Sequence, residues 1–358
     1  MTPPRVLVAA WVGSTNLGDE MVFAATAARL AGRGVAVEAV TVDPDATRRD
    51  HPGVVAVPAR DPRALDAAVR RADGVVFGGG GLLQDRTSAL NLPYHLSRLA
   101  LARLRRTPYV GHGLGVGPLE TRPGRALARA AMVRARAVSV RDADSARLLA
   151  GTGVAGVRVT ADPALGLPLP AVTAQDRLVV ALRPWSAARG LLPASLRARR
   201  TTPEPWLART AAALDAAARG SGLAVHLVAL QADRDGPLHD AVAARMTAPV
   251  TTVRPGVHAV VDEVATGRVV VAMRYHAGVA ALLAARPTVL VGYSLKVDSL
   301  AAELGAAGAH RPWDPAGLRG LDAAVAAVAG RDAEAAEARD RLRERERGNA
   351  AVLDALLA

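Results

Sequence analysis

The sequence predicts an α/β protein with two doubly wound, Rossmann-like domains facing a central cleft and a helix at the C-terminus. Three observations predict it. Short valine-rich runs alternate with amphipathic helical patterns along nearly the whole chain, as in parallel sheets covered on both faces. The strand-like runs number eleven, too many for one comfortable open sheet. The stretch Gly166-Leu-Pro-Leu-Pro-Ala-Val-Thr-Ala-Gln-Asp176 interrupts the alternation with linker chemistry.

The elements follow in order. Residues 1–168 form an N-terminal domain. Its strands are predicted at 5–11, 35–42, 54–58, 74–78, 109–111 and 137–141, with helices near 20–32, 62–72, 91–106, 123–136 and 143–150. Residues 176–332 form a C-terminal domain. Its strands are predicted at 178–183, 224–230, 250–253, 269–273 and 288–292, with helices near 205–219, 237–246, 258–266, 277–285 and 297–304. Residues 333–358 are highly charged and then end Ala-Val-Leu-Asp-Ala-Leu-Leu-Ala, which predicts a terminal helix that packs its last turns. Two facing α/β domains with such a helix are GT-B-like, with the active site in the cleft. The arginine-rich stretch Arg189 to Glu204 holds Pro193 and Pro203. It reads either as a mobile loop near the cleft or as a plain surface excursion.

Composition narrows the function. Half of the 358 residues are apolar, so two cores can be buried. Of the 45 lysines and arginines, only Lys296 is lysine. The preference for arginine over lysine reads as a coding background, and the +12 charge is taken to overstate any specific electrostatic role. Aromatic-plus-basic strands and zinc ligands are missing, which argues against nucleic acid as a partner. There is no cysteine, so disulfides and thiolate chemistry are excluded. No apolar run reaches the ~20 residues of a membrane span. The apolar start, Val6 to Val12, reads as the first core strand and not as a signal peptide. A cytoplasmic protein is expected, with contact to the inner face of the membrane left open.

Four constellations follow strand ends, where open α/β sheets bind ligands. Gly13-Ser-Thr-Asn16-Leu-Gly-Asp19-Glu20 opens a helix. Its acidic pair suits the helix dipole and would repel a phosphate, so it serves a sugar hydroxyl or a structural cap. Gly78-Gly79-Gly80-Gly81, followed by Asp85, lets backbone approach a ligand or another loop closely. Arg141, at the tip of the last N-domain strand, can hold a carboxylate or phosphate, or pair with Asp142 or Asp144 at the surface. Arg183, Arg274, His276 and Lys296 all follow C-domain strands. A helix start flanked by these cations makes an anion site, with His276 as the acid–base candidate. Lys296 persists where arginine has replaced every other lysine, which points to a need for a compact point charge on a flexible stem. Paired metal ligands at recognised spacing are missing, and no metal or redox cofactor is expected.

Together these motifs resemble the polysaccharide pyruvyl transferase family, and more closely its bacterial cell-wall branch, the CsaB type. The matching segments are Asn16-Leu-Gly-Asp-Glu20, Gly78 to Ser88, Gly113-Leu-Gly-Val-Gly-Pro118, Val140-Arg-Asp142 with Ser145, Ala161-Asp-Pro163, Leu182-Arg-Pro-Trp185, Met273-Arg-Tyr-His-Ala277 and Tyr293-Ser-Leu-Lys-Val-Asp298. They occur in family order over residues 5–305. Ala272 stands where the family usually has glycine, and Ser294-Leu295 where it commonly has Asp-Pro. The resemblance implies transfer of pyruvate from phosphoenolpyruvate to a sugar as a cyclic ketal. It also implies an N-acetylmannosamine acceptor within a lipid-linked cell-wall polymer precursor, whose pyruvylated product anchors S-layer proteins. Arg141, His276 and Lys296 match the positions that the family uses around phosphoenolpyruvate, and Arg183 matches a donor or acceptor contact. Two alternatives remain. One is a GT-B glycosyltransferase using a nucleotide sugar. Against it, no carboxylate after a C-domain strand is clearly placed for a ribose. The other is a non-catalytic sugar-phosphate-binding homologue.

Overall fold

The computed structural model describes residues 2–86, 88–184, 202–314 and 316–358. Trp185, and the part of the Arg189–Glu204 stretch up to Thr201, lie outside the described residues.

The chain begins with β1 (Arg5–Val12), α1 (Leu17–Ala31), β2 (Ala36–Thr41), α2 (Pro44–Asp50), β3 (Val55–Pro58), α3 (Pro62–Arg71) and β4 (Gly74–Gly78). It continues with α4 (Asn91–Arg105), β5 (Tyr109–Leu114), α5 (Arg122–Met132), β6 (Val138–Val140), α6 (Ala143–Ala150) and β7 (Arg158–Val159). These strands form one parallel sheet in the order β3-β2-β1-β4-β5-β6-β7. The direction of winding reverses between β1 and β4. Such a switch point leaves a crevice at the carboxyl ends of the strands.

The second half holds β8 (Arg177–Ala181), α7 (Glu204–Ser221), β9 (Ala224–Val228), α8 (Ala232–Ala243), β10 (Val250–Val253), α9 (Val260–Ala265) and β11 (Val269–Ala272). Next come α10 (Tyr275–Leu283), β12 (Thr288–Gly292), α11 (Leu295–Leu304), β13 (Gly308–Pro312), α12 (Leu321–Val328), α13 (Asp332–Arg347) and α14 (Ala350–Leu357). The second sheet repeats the winding, in the order β10-β9-β8-β11-β12-β13. Its central strands are apolar throughout and fully buried, as in Leu178 to Ala181 and Val269 to Ala272. Burial on both faces is what a continuous apolar run satisfies.

Side-chain caps start several of the helices. Asp43 accepts from the amides of Asp45 and Ala46 and so starts α2, a charged helix without an apolar stripe. Asp142 accepts from Ser145 N at 2.6 Å and starts α6 beside the site.

The terminal segment differs from the single helix expected over 333–358. It is two helices, broken at Gly348 and Asn349. Helix α13 packs Ala338 and Leu342 with residues of the second half and with Leu17 and Met21. Helix α14 returns to the first sheet, where Val352, Leu353 and Leu356 pack with Val6, Val8, Phe23 and Val110. The break is made by Asn349. Its buried side chain accepts from Ser139 Oγ (2.7 Å) and Thr160 Oγ1 (2.8 Å) and donates to the Ala161 carbonyl (3.0 Å). On α13, Arg343 donates to the carbonyls of Leu165 and Leu167, and Glu346 pairs with Arg29 at 2.5 Å. The crossing between the two sheets is thereby clamped.

Asn349→Ala should leave two buried hydroxyls and a carbonyl without this partner and cost about 1–3 kcal/mol. Leu353→Ala should cost about 2–5 kcal/mol. Urea unfolding measures both, and unchanged stability would mean that α14 does not complete the first core.

Candidate functional site

The carboxyl edges of the two sheets face each other, and the loops that leave them touch. Leu17 N donates to the Leu230 carbonyl at 2.9 Å, and Thr15 Oγ1 donates to Asp233 at 2.6 Å. The Ser299 hydroxyl on α11 bonds Asp144 on α6. Between these contacts lies a cluster of charged side chains drawn from both halves.

From the first half come Asp19, Arg141 and Asp162. The two acidic residues at the start of α1 divide their roles. Glu20 turns back, accepting from Ser14 N at 3.1 Å and pairing with His51 at 2.9 Å, so it holds the Gly13 turn. Asp19 turns toward the cleft and takes 2.5 Å from Asn16 Nδ2. Burial pushes the Asp19 carboxyl up, against the pull of His276, Lys296, Asn16 and Arg141. Gly80 sits over Asp19, and a Cβ there would come 2.3 Å from its Oδ1; the backbone has φ +73°, which favours glycine. Gly79 packs on Val22, and Gly81 faces open space. The glycine loop therefore presents bare backbone to the cleft.

Arg141 follows β6 and is buried. It reaches Asp142 and Asp162, each at 3.3 Å, and its guanidinium lies 4.1 Å over the Tyr275 ring. Gly115 admits it, since a Cβ there would come 2.6 Å from the guanidinium carbon. Burial opposes its charge, but Tyr275, Asp162 and Asp142 raise its pKa above the usual arginine range.

From the second half come His276 at the start of α10 and Lys296 at the start of α11. His276 Nε2 points at Asp162 Oδ2, 3.6 Å away, and makes no hydrogen bond. Its ring fits because residue 18 is glycine: a Cβ there would come 2.1 Å from His276 Nδ1. Asp162 also accepts from Ala164 N at 3.0 Å. Burial alone would raise Asp162, yet His276, Arg141 and the Ala164 amide hold its pKa down to about 2. Lys296 is half-buried, with Nζ 5.9 Å from the Tyr275 ring centre. The neighbouring Tyr293 raises its pKa, but burial, Arg141 and Arg183 lower it further, so the net shift is downward.

Arg183 donates to the Tyr293 hydroxyl at 2.6 Å and stands 4.6 Å over its ring. Burial would raise that phenol, but Arg183, Lys296 and Arg274 together bring it down to about 7. Arg274 is committed to the protein: it forms a two-pronged pair with Asp235 at 2.9 and 2.5 Å and also bonds Gln231 at 3.0 Å. Asp85 is committed too. It accepts from Glu120 N, Thr121 N and Thr121 Oγ1 at 2.5–2.9 Å and holds the turn before α5.

The structure thus brings together Asn16, Asp19, Gly80, Arg141, His276, Lys296 and Arg183. Sequence reasoning gave no role to Asp162, Tyr275 or Tyr293. Each lies inside a quoted motif, Ala161-Asp-Pro163, Met273-Arg-Tyr-His or Tyr293-Ser-Leu-Lys, so position offered a signal that chemistry did not. Among the described residues no group of three or more acidic or histidine side chains is placed to hold a metal. No helix among them is long and apolar enough to cross a membrane.

Two parallel Rossmann-type sheets with a terminal helix returning to the first define the GT-B class of fold. Solved structures agree. The chain is similar to Anabaena Alr3699/HepE in complex with UDP and glucose, at 13% identity, covering 99% of each chain, TM-score 0.59. It is similar to UDP-GlcNAc 2-epimerase from Neisseria meningitidis bound to UDP-GlcNAc, at 10% identity, covering 100% of each, TM-score 0.57. It is also similar to MurG from Acinetobacter baumannii, at 12% identity, covering 98% of this chain and 99% of that one, TM-score 0.54. These identities speak for the fold alone. The family's sequence profile, polysaccharide pyruvyl transferase, matches residues 16–294, and the chain belongs to that family. No curated protein matches the chain.

Of the chain's four tyrosines, Tyr293 should ionise near neutrality. Tyr109 and Tyr275 are raised by burial. An ultraviolet difference titration should show an early phenolate step that Tyr293→Phe abolishes. A titration with no step below the ordinary tyrosine range would contradict this arrangement of cations.

Proposed function

We propose that the cleft transfers pyruvate from phosphoenolpyruvate to two hydroxyls of a sugar, closing a cyclic ketal and releasing phosphate. The observation that carries this reading is the convergence of Arg141, Arg183, His276 and Lys296 on one cleft, in a chain whose family is defined by pyruvyl transfer. The donor is small and bears a carboxylate and a phosphate, so it calls for several fixed cations in a water-poor site. Arg141, Arg183 and Lys296 supply them, and the start of α10 lies among them.

His276 protonates the methylene carbon of the enol, whose double-bond electrons form the new C–H bond. The adjacent carbon becomes oxocarbenium-like. One sugar hydroxyl adds to it and loses its proton, which restores His276. The bond from that carbon to the phosphate oxygen then breaks, and the second hydroxyl closes the ketal. Its proton leaves with phosphate. Asp162 offers a counter-charge to the imidazolium during the first step. The cations around Tyr293 receive the departing phosphate. No metal or redox cofactor takes part in this scheme.

We infer the acceptor to be N-acetylmannosamine in a lipid-linked precursor of a secondary cell-wall polymer, whose pyruvylated form anchors S-layer proteins. The support is the similarity of the ordered motifs to the cell-wall branch. In this reading the protein works in the cytoplasm at the inner face of the membrane.

The test is phosphate release from phosphoenolpyruvate with an N-acetylmannosamine-containing acceptor, joined to mass spectrometry of the sugar. Phosphate should appear only with acceptor, and the sugar should gain a ketal. His276→Ala should lose about 100- to 10,000-fold in rate. Lys296→Arg should also be strongly impaired, because a planar fork does not replace a compact ammonium. Consumption of a nucleotide sugar without any phosphoenolpyruvate turnover would replace this reading with glycosyl transfer.

A further inference from the structure

The net charge is not spread evenly over the chain. Between Asn91 and Arg136 there are nine arginines and one carboxylate, Glu120, so this stretch carries +8 of the total +12. A preference for arginine exchanges one cation for another, and it does not clear acidic residues from one stretch. The stretch contains α4, β5 and α5, and the two helices pack against each other. Four of the arginines are tied to the protein. Arg98 is buried, Arg105 pairs with Asp66 at 2.6 Å, Arg125 donates to the carbonyls of Leu119 and Glu120, and Arg136 donates to that of Leu356. The other five, Arg103, Arg106, Arg122, Arg129 and Arg134, are exposed and pair with no carboxylate among the described residues.

Apolar exposure gathers on the same two helices. Nine large hydrophobic side chains are exposed among the described residues. Five of them, Leu90, Tyr94, Leu104, Leu127 and Val133, lie on α4, on α5 or directly beside their ends, and Leu104 is the barest at 71%. Charge and apolar surface meet at the C-terminal end of α4. There Ala100, Arg103, Leu104 and Arg106 share with Arg134 a broad, open hollow of about 580 Å³. Tyr109 lines it too, and its hydroxyl donates to the Ala131 carbonyl at 2.6 Å, which ties the end of α5 to β5. Leu127 precedes Arg134 by seven residues, two helical turns, and so continues the same side of α5. Arg106 ends α4 in the left-handed region, φ +60°, where glycine is usual; the position carries a guanidinium instead.

Unpaired guanidiniums around a bare leucine fit the surface of an anionic phospholipid bilayer. Arginine meets the headgroup phosphates, and aliphatic side chains enter the layer beneath them. A nucleic-acid backbone would satisfy the charges and offer nothing to Leu104. We propose that the α4–α5 face is a peripheral docking surface for an anionic membrane, with headgroup phosphate between Arg103, Arg106 and Arg134 and with Leu104 inserted beside them. Helix α4 joins this surface to the cleft. At its other end, about 22 Å away, Asn91 donates to the carbonyls of Leu82 and Gln84 and so fixes the end of the glycine loop. Docking does not depend on what the cleft transfers. Its use in bringing the cleft to a lipid-linked acceptor rests on the pyruvyl-transfer reading.

Co-sedimentation of the full chain with vesicles tests it, using phosphatidylcholine with and without phosphatidylglycerol. The chain should bind the phosphatidylglycerol vesicles and be released by salt. Replacing Arg103, Arg106 and Arg134 by glutamine should weaken binding about five-fold for each arginine removed. Leu104→Gln should weaken it at every salt concentration. A control with glutamine at Arg48, Arg49 and Arg319 removes the same charge elsewhere and should leave binding nearly unchanged. Melting curves confirm that each variant is folded. No binding to phosphatidylglycerol vesicles at low salt overturns the proposal, and so does an equal loss in the control. A dimer that Leu104→Gln disperses, without vesicle binding, overturns it in favour of an interface between copies of this chain. In the phosphate-release assay, the Arg103, Arg106 and Arg134 variant should be slow on a lipid-linked acceptor in vesicles and unimpaired on a water-soluble glycoside. An undiminished rate on the lipid-linked acceptor overturns the link from docking to the cleft. If no acceptor supports phosphate release, the transfer reading fails, and the vesicle experiment still decides the docking surface.

Discussion

The arrangement of the cleft depends on one buried carboxylate, Asp162. It sits where the first sheet gives way to the linker, and it meets all three parts of the molecule. Its own turn supplies the Ala164 amide, the first half supplies Arg141 and the second supplies His276. A buried charge is tolerated only when it is paired and hydrogen-bonded. Each partner is therefore constrained to a narrow set of positions. Arg141 is further fixed by the Tyr275 ring beneath it, so the two sheets are held in register by a cation, its counter-ion and an aromatic face.

The cations of the site fall into two kinds. Arg274 is neutralised by Asp235 and serves the scaffold. Arg183 and Lys296 are matched by no carboxylate ion pair among the described residues, and they converge on a phenol. That difference decides which charges are left for a ligand. It also makes the surroundings of Lys296 intelligible. A half-buried position under two arginines is costly for a third cation, and a slender ammonium is easier to place there than a guanidinium.

Much of this was legible in the sequence, because parallel strands buried on both faces leave continuous apolar runs. The elements that escaped lack that signature. Strand β13, Gly308-Ala-His-Arg-Pro312, is an edge strand made by pairing with β12. Helix α2 is set by the Asp43 cap and a proline, not by periodicity. The break at Asn349 depends on Ser139 and Thr160, far away in sequence. The same limit applies to the site. His276, Lys296 and Arg141 announce themselves by type and position after strands. Whether Asp85 and Arg274 face a ligand or the protein is set by partners that only the fold reveals. Asp162 looks like an ordinary residue before a proline until the chain brings two cationic side chains to it.

The return of α14 to the first sheet has a consequence for how the molecule comes into being. Arg29 and its partner Glu346 are 317 residues apart, and the first strand shares its core with the last helix. On the ribosome the first half emerges early, with one face of its central strands still lacking the side chains that cover it. The second half is more nearly collinear, although its core also takes in Leu17, Met21 and Val22 of α1. Closing so long a loop is slow, and apolar surface left open in the meantime favours association with other chains. Helix α14 therefore acts as a latch, and the core around β1 is finished only when that helix docks.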